Sequence, residues 1–377
     1  MTESHPRAIV IGAGPAGLAT AACLQKAGMK TRILERADTV GPAWHAHYDR
    51  LHLHTSRGRS NLPYLAFPKD AERYPSRTDV IDYLKRYVET FALDIGFGCL
   101  VNIVKRNDGA WCVEHANGVE TADIVVIATG LNATPRLPDW PGQDRFPGDI
   151  LHSSAYRNPE PYDGMRVLVV GFGNSGGEIA LDLAQARIDV GLCVRGPINI
   201  LPKEILGIPT TSMGLLRKLF PAHAADAITA PVVRALIGRP EDYGLRQAEK
   251  GPLRQVVEDG KIPLIDIGAL SEIKAGRISV HQGIVSFDKE NIRFDDGTSE
   301  TFDTVILATG YGVDLRSMLP DSADVLDATG RPRISGGATA ARGLYFCSYH
   351  PSPNGQLRQA SAEAMSIAKD AAQLSCV

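Results

Sequence analysis

One stretch constrains this chain more than any other: Ala8 to Glu35, AIVIGAGPAGLATAACLQKAGMKTRILE. A short apolar run, Ala8 to Ile11, meets Gly12-Ala13-Gly14-Pro15-Ala16-Gly17. A small-residue helical pattern follows from Pro15 to Lys26, and a second strand-like run, Thr31 to Leu34, ends at Glu35. This is a βαβ dinucleotide fingerprint in its full context. Gly12 permits the tight turn, Gly14 lets the backbone approach a pyrophosphate, and Gly17 lets helix and strand pack closely. The helix N-terminus offers free N–H groups and a positive dipole end to the phosphates. Glu35 is 21 residues beyond Gly14, where a carboxylate accepts hydrogen bonds from a ribose diol.

With 377 residues and 44% hydrophobic content, the chain can bury a large core and predicts about two domains. The formal net charge of −3 is interspersed, with no basic run for nucleic acid and no acidic tail. Six cysteines, at positions 23, 99, 112, 193, 347 and 376, form no Cys-x-x-Cys and no zinc spacing. They fit a reduced, cytoplasmic protein, and the early first strand leaves no room for a signal peptide. No apolar run reaches the ~20 residues of a membrane span.

An internal echo runs through the chain. Val167 to Gly176, VLVVGFGNSG, is a second fingerprint with Gly171, Gly173 and Gly176, and a helix is expected over Gly177 to Ala186. ADIVVIATG at 122–130 and FDTVILATG at 302–310 follow the two fingerprints in turn. Fingerprint plus strand-ATG thus occurs twice, which implies two nucleotide sites and a duplicated architecture. The second site's own second strand, Asp189 to Val194, ends at Arg195 instead of an acid. An acid there repels a 2′-phosphate and an arginine pairs with it, so the first site is expected to hold FAD and the second NADPH. The alternative for Arg195 is a solvated surface arginine.

His45, His47, His52 and His54 cluster in WHAHYDRLHLHTSR. Their spacing fits no helix pair and no Cys or acidic partner completes a site, so no metal is expected. Arg50 to Thr55 alternates like a strand, with His52 and His54 on one face, directed either into a cavity or into water. Tyr74 to Arg77 predicts a turn and cap before a helix over Asp79 to Phe91. Strands are expected near Cys99 to Val104 and Ala110 to Glu114, joined at Asn107-Asp108-Gly109. In Leu206 to Gly238, Leu215, Leu216, Leu219, Phe220, Ile228, Val232, Val233, Leu236 and Ile237 recur at helical spacing. They predict a helical hairpin covering its own core, or else a substrate-access cap or membrane-surface contact carrying Arg217, Lys218, Arg234 and Arg239.

Residues 136–163 are rich in proline and glycine, as in a linker, yet contain Phe146-x-Gly148-x-x-x-His152-x-x-x-Tyr156. This spacing, shortly before the second fingerprint, resembles the identifying motif of class B flavin monooxygenases. The resemblance covers nearly the whole chain and is closest to the YUCCA-type branch of indole-3-pyruvate oxygenases and their bacterial relatives. It is carried by ATGLNATPRLP, VLVVGFGNSGGEIALDL, VRGPINILPKEILG, GPLRQVVEDGKIPLIDIGALSEIKAG and LATGY. His54 falls where many flavin monooxygenases place an asparagine beside the flavin and the YUCCA type a histidine. Two departures are Gly41-Pro42-Ala43-Trp44 in place of Gly-Gly-x-Trp, and the segment GLYFCSYHPSPNGQLRQA.

The resemblance implies an α/β fold of two Rossmann-like dinucleotide-binding domains, the NADPH domain (156–299, with a helical insertion near 206–240) inserted into the FAD domain (1–155 and 300–377). It implies that NADPH reduces FAD and that the reduced flavin with O2 forms a C4a-(hydro)peroxide, which must be shielded from water. Oxygen then passes to a small organic substrate, either a 2-oxo acid that loses CO2 or a soft nitrogen or sulfur nucleophile. A flavin reductase or oxidase without oxygen transfer is the reading from another class. The residues it carries over as cofactor-binding are Gly12, Gly14, Ala16, Gly17, Glu35, Arg36, Trp44, His54, Thr129, Gly130, Tyr156, Gly171, Gly173, Asn174, Ser175, Gly176, Arg195, Thr309, Gly310 and Gln356. His54 is the expected catalytic residue, with His152 and Tyr156 holding linker and NADP+ in register. The expected partners are a small-molecule substrate and O2, with no nucleic acid, no membrane span and a homodimeric assembly.

Overall fold

The computed structural model describes residues 7–212 and 220–374. The chain divides into two compact units. The first takes the residues through His45, Thr55–Thr134 and the chain from Gly312 onward; the second takes Ala46–His54 and Pro135–Tyr311. The boundaries therefore fall at 134/135 and 311/312, not at the expected 155/156 and 299/300. The reason lies in strand pairing: Asp149–His152 and Thr304–Leu307, both assigned to the first domain from sequence, are parallel neighbours in the second unit's sheet.

The first unit is built on a parallel sheet in the order Leu344–Phe346, Ile124–Ile127, Arg7–Ile11, Lys30–Leu34, Asp94–Gly96. The central strand needs both faces covered, and its burial shows it: Ala8, Ile9 and Val10 have no exposed surface. Helix Pro15–Lys26 begins on the predicted residue, with Pro15 at its first position and the wide φ of Gly12, +107°, in the turn before it. It packs on the long helix Gln356–Leu374. The helix foreseen from Asp79 starts at Arg77, where Ser76 and Asp79 form a reciprocal capping box. The Asp108-Gly109 turn joins strands Val101–Asn107 and Ala110–His115, both turn residues having positive φ.

The second unit repeats this plan. Its parallel sheet runs Ile278–His281, Asp189–Cys193, Arg166–Val170, Thr304–Leu307, Asp149–His152. In each unit the fingerprint strand is central, with its second strand on one side and the strand-ATG on the other. In each, a three-stranded antiparallel meander precedes the strand-ATG: 101–122 in the first, 284–300 in the second. The duplication read from the motifs is thus a duplication of topology. The second fingerprint helix spans Asn174–Gln185, three residues earlier than expected, since it starts inside the glycine motif itself.

The insertion departs from expectation. Leu215, Leu216, Arg217, Lys218 and Leu219 lie outside the described residues. Helix Ala222–Ile237 buries only Ala225 and Asp226 among its residues, while Ile228, Val232 and Leu236 are about half exposed. Their helical spacing does not mean that they cover a core. The buried Asp226 instead caps the next helix, accepting the amides of Leu253 and Arg254 at 2.9 and 3.0 Å.

Candidate functional site

In the first unit a Cβ on Gly12 would lie 2.7 Å from the Ala128 carbonyl oxygen, and one on Gly17 only 1.8 Å from the Gly12 carbonyl oxygen. A Cβ on Gly14 would meet nothing within 4 Å. Two glycines are therefore compelled by backbone contact, and the third faces open space at a helix N-terminus, where a phosphate group fits. The cradle suits a dinucleotide pyrophosphate. The second unit gives the same three results: 2.5 Å to the Ala308 carbonyl oxygen for Gly171, 1.9 Å to the Gly171 carbonyl oxygen for Gly176, and open space at Gly173. The ATG strands explain themselves here, because Ala128 and Ala308 supply the backbone under each first glycine.

Glu35 is buried, and its carboxylate accepts the Ala13 amide at 2.7 Å and the Ala37 amide at 2.9 Å. It braces the glycine turn. Ala16 lies in the first turn of the helix, and Arg36 is exposed beside Glu35. Trp44, half-buried, sits on the short helix Pro42–Ala46. Thr129 meets the Tyr349 hydroxyl at 2.7 Å, and Gly130 follows at φ +88° with open space beside it. Gln356 donates to the Ser348 hydroxyl at 2.7 Å and to the carbonyls of Ser348 and His350.

In the second unit Asn174 accepts the Ile265 amide at 2.8 Å, which ties the fingerprint helix to a neighbouring strand. Arg195 is exposed, two residues past the end of its strand at Cys193, and its carbonyl accepts from Arg246. Arg246 is a second cation at this point that the sequence did not signal. Thr309 donates to the Arg136 carbonyl at 2.6 Å.

The segment that reads as a linker is stapled to the second unit at every position of its motif. Phe146 packs edge-on against Phe287, ring centroids 5.4 Å apart. A Cβ on Gly148 would lie 2.0 Å from the Asp303 carbonyl oxygen. His152 donates from Nε2 to the Gly310 carbonyl at 3.1 Å and accepts the Ser154 amide at Nδ1. Burial holds its pKa below the usual histidine value. Tyr156 has no exposed surface, stacks on Tyr162, and donates to Asp182 at 2.8 Å. The expectation that Tyr156 binds a cofactor is corrected: a side chain with no accessible atom presents nothing to a ligand, and its hydroxyl is taken.

His54 belongs to the second unit. The expected strand over Arg50–Thr55 does not form; the segment is irregular. His52 and His54 nonetheless line one cavity of ≈ 290 Å³, together with Arg50, Glu178, Asp182, Gln185, Lys203 and Ile267. His54 Nε2 donates to Glu178 Oε1 at 2.6 Å, and Glu178 is 3% exposed. Arg50 bridges Asp182 at 3.0 Å and Gln185 at 3.1 Å. Sequence reasoning missed Glu178 and Asp182. The signal was present: Glu178, Asp182 and Gln185 recur at i, i+4 and i+7 as a polar stripe on a helix that is otherwise buried. No cluster of His, Cys, Asp or Glu among the described residues could hold a metal ion.

Residues 9–204 match the family described as Pyridine nucleotide-disulphide oxidoreductase. The indole-3-pyruvate monooxygenase YUCCA1 of Oryza sativa subsp. japonica is 37% identical over 373 residues, 97% of this chain and 91% of the relative. The chain belongs to the YUCCA-type branch of the flavin-dependent monooxygenases. A probable indole-3-pyruvate monooxygenase of Arabidopsis thaliana, also named YUCCA1, is 37% identical over 89% of this chain and 83% of its own. A flavin-containing monooxygenase from Stenotrophomonas maltophilia shares the fold at TM-score 0.75 and 22% identity, covering 99% of both chains. This monooxygenase is accordingly an enzyme that works with a flavin, a pyridine nucleotide and O2. Burial pushes the thiols of Cys23 up to about 11 and of Cys193 and Cys347 up to about 12, so these three are not poised as thiolates. No helix among the described residues is long and apolar enough to cross a membrane.

Proposed function

We propose that the monooxygenase binds FAD in its first unit and NADPH in its second, and converts a small 2-oxo acid, NADPH, H+ and O2 into the acid shorter by one carbon, CO2, NADP+ and water. The observation that carries the cofactor assignment is the contrast between two otherwise matching cradles. Glu35, buried, closes the second strand of one and Arg195, exposed, follows that of the other. A buried carboxylate suits a ribose diol, and an exposed arginine suits a 2′-phosphate. The substrate class draws on the relatives, whose names state indole-3-pyruvate.

Bound flavin, once reduced, supplies the activation of O2; the chain supplies position and protection. Gly14 and Gly173 leave room for the two pyrophosphates, and the helix N-termini at Ala16 and Ser175 meet their charge. Asn174 and His152 keep the second cradle's helix and ATG strand in place. His54 governs coupling, the fraction of reducing equivalents that reach substrate, and does not govern hydride delivery. Its place in a polar cavity, held by a buried carboxylate, supports that reading.

The test begins with the flavin content of the purified protein, expected at about one FAD per chain. NADPH consumption, CO2 and H2O2 are then followed with arylpyruvates, amines and thioethers. CO2 in proportion to NADPH with an arylpyruvate supports the proposal. Oxygenated amines or thioethers would favour heteroatom transfer, and H2O2 equal to NADPH with every compound would make the protein a reductase or oxidase. His54→Ala should leave flavin reduction near normal and raise the H2O2 share.

A further inference from the structure

Behind His54 stands a set of buried polar groups that the reaction as described does not use. Glu178, in the second turn of the second fingerprint helix, accepts Nε2–H of His54 at 2.6 Å. The Tyr48 hydroxyl lies beside the same carboxylate and beside the Ser175 hydroxyl of the helix's first turn. Tyr48 is 3% exposed, and burial with the adjoining carboxylate pushes its pKa well up, so it stays a donor. The other imidazole nitrogen, Nδ1 of His54, is buried and has no hydrogen-bond partner in the protein.

We propose that Glu178 is the positioning residue of His54: in a chain of neighbouring side chains, Ser175, Tyr48, Glu178 and His54, it fixes the proton on Nε2 and leaves Nδ1 bare, so that the ring is held in one tautomer at the cavity wall. A carboxylate has only acceptor positions when ionised, so the nitrogen facing it carries the proton and the opposite nitrogen keeps its lone pair. Nδ1 has no partner of its own to hold a proton, so the tautomer is set from the Nε2 side alone. Ser175 belongs to the fingerprint's phosphate-facing turn, so the chain also links the nucleotide cradle to the cavity within one unit. The consequence for coupling rests on the reading of His54 given above; the tautomer does not.

The experiment is 15N NMR of the imidazoles in the full-length, flavin-loaded protein, with His54 assigned by its loss in His54→Gln. Wild type should show Nε2 protonated and Nδ1 bare. Glu178→Ala should mix the two tautomers and raise the H2O2 share severalfold. Glu178→Gln, whose amide oxygen still accepts Nε2–H, should restore both the tautomer and most of the coupling. Glu178→Met, closer in volume, takes the same readouts if the alanine variant does not fold. A wild-type His54 protonated at Nδ1, or an unchanged tautomer in a folded Glu178→Ala or Glu178→Met, overturns the proposal. A mixed tautomer with unchanged coupling would leave Glu178 as positioner and instead remove His54 from the reaction.

Discussion

The Glu35 carboxylate accepts the Ala13 amide at 2.7 Å, across 22 residues of sequence and inside the glycine turn that Ala13 belongs to. The residue proposed to meet a ribose is therefore also a brace for the loop proposed to meet the pyrophosphate. A ribose role expected from sequence and a bracing role found in the structure share one side chain, and the two are separable.

Glu35→Ala should destabilise the flavin-free protein as well as lose flavin. The buried Ala13 amide would lose its acceptor at about 1–3 kcal/mol, and the half-buried Ala37 amide would lose its acceptor at a smaller cost. Glu35→Gln keeps one acceptor oxygen and should lose less. Thermal unfolding of apoprotein decides: a midpoint equal to wild type would confine Glu35 to the ligand.

The three glycines of the first fingerprint should fail in different ways. Gly14→Val puts a side chain into space where nothing lies within 4 Å, so a folded, colourless apoprotein is expected. Gly17→Val drives a Cβ to 1.8 Å from the Gly12 carbonyl oxygen and should prevent soluble folding. Flavin absorbance and circular dichroism of both variants check this, and a yellow Gly14→Val would displace the site.

Arg195→Ala should raise the KM for NADPH and leave NADH nearly unchanged. A charge-assisted contact to a phosphate contributes about 1.5–3 kcal/mol, and the exposure of Arg195 favours the lower figure, roughly a tenfold change. Stopped-flow flavin reduction against each nicotinamide reads it directly. Equal losses with both would give Arg195 a role in the fold, and no loss with either would pass the phosphate to Arg246 or Lys203.

Stability should fall as the medium is acidified through the histidine range, in part through His152. Its folded pKa is lowered by burial, so the unfolded chain takes up the proton first. The contribution is complete above the ordinary value of about 6.5 and is lost as pH drops from there through the lower folded value. His281, lowered by burial as well, acts in the same direction. His152→Gln should shrink the fall in unfolding midpoint between pH 7.5 and pH 5, scanned at about half-unit steps; an unchanged slope would show that His152 titrates as it does in the unfolded chain.

The sequence alone determined the two cradles. The turns at Gly12 and Gly171 and the close approaches at Gly17 and Gly176 are legible because the turn, the helix start and the next strand lie within about thirty residues and are set by backbone sterics. Helix Pro15–Lys26 and the Asp108-Gly109 turn are legible for the same reason. What the tertiary structure decided are relationships of long sequence separation. His54 finds Glu178 across 124 positions and Tyr156 finds Asp182 across 26, and no local pattern distinguishes a tyrosine facing a nucleotide from one sealed in a core. The unit boundaries moved because strands 149–152 and 304–307 chose each other, a pairing that depends on the closed sheet and not on either segment. Ile228, Val232 and Leu236 make the same point from the other side: periodicity states which residues share a helix face, and only packing states whether that face is covered.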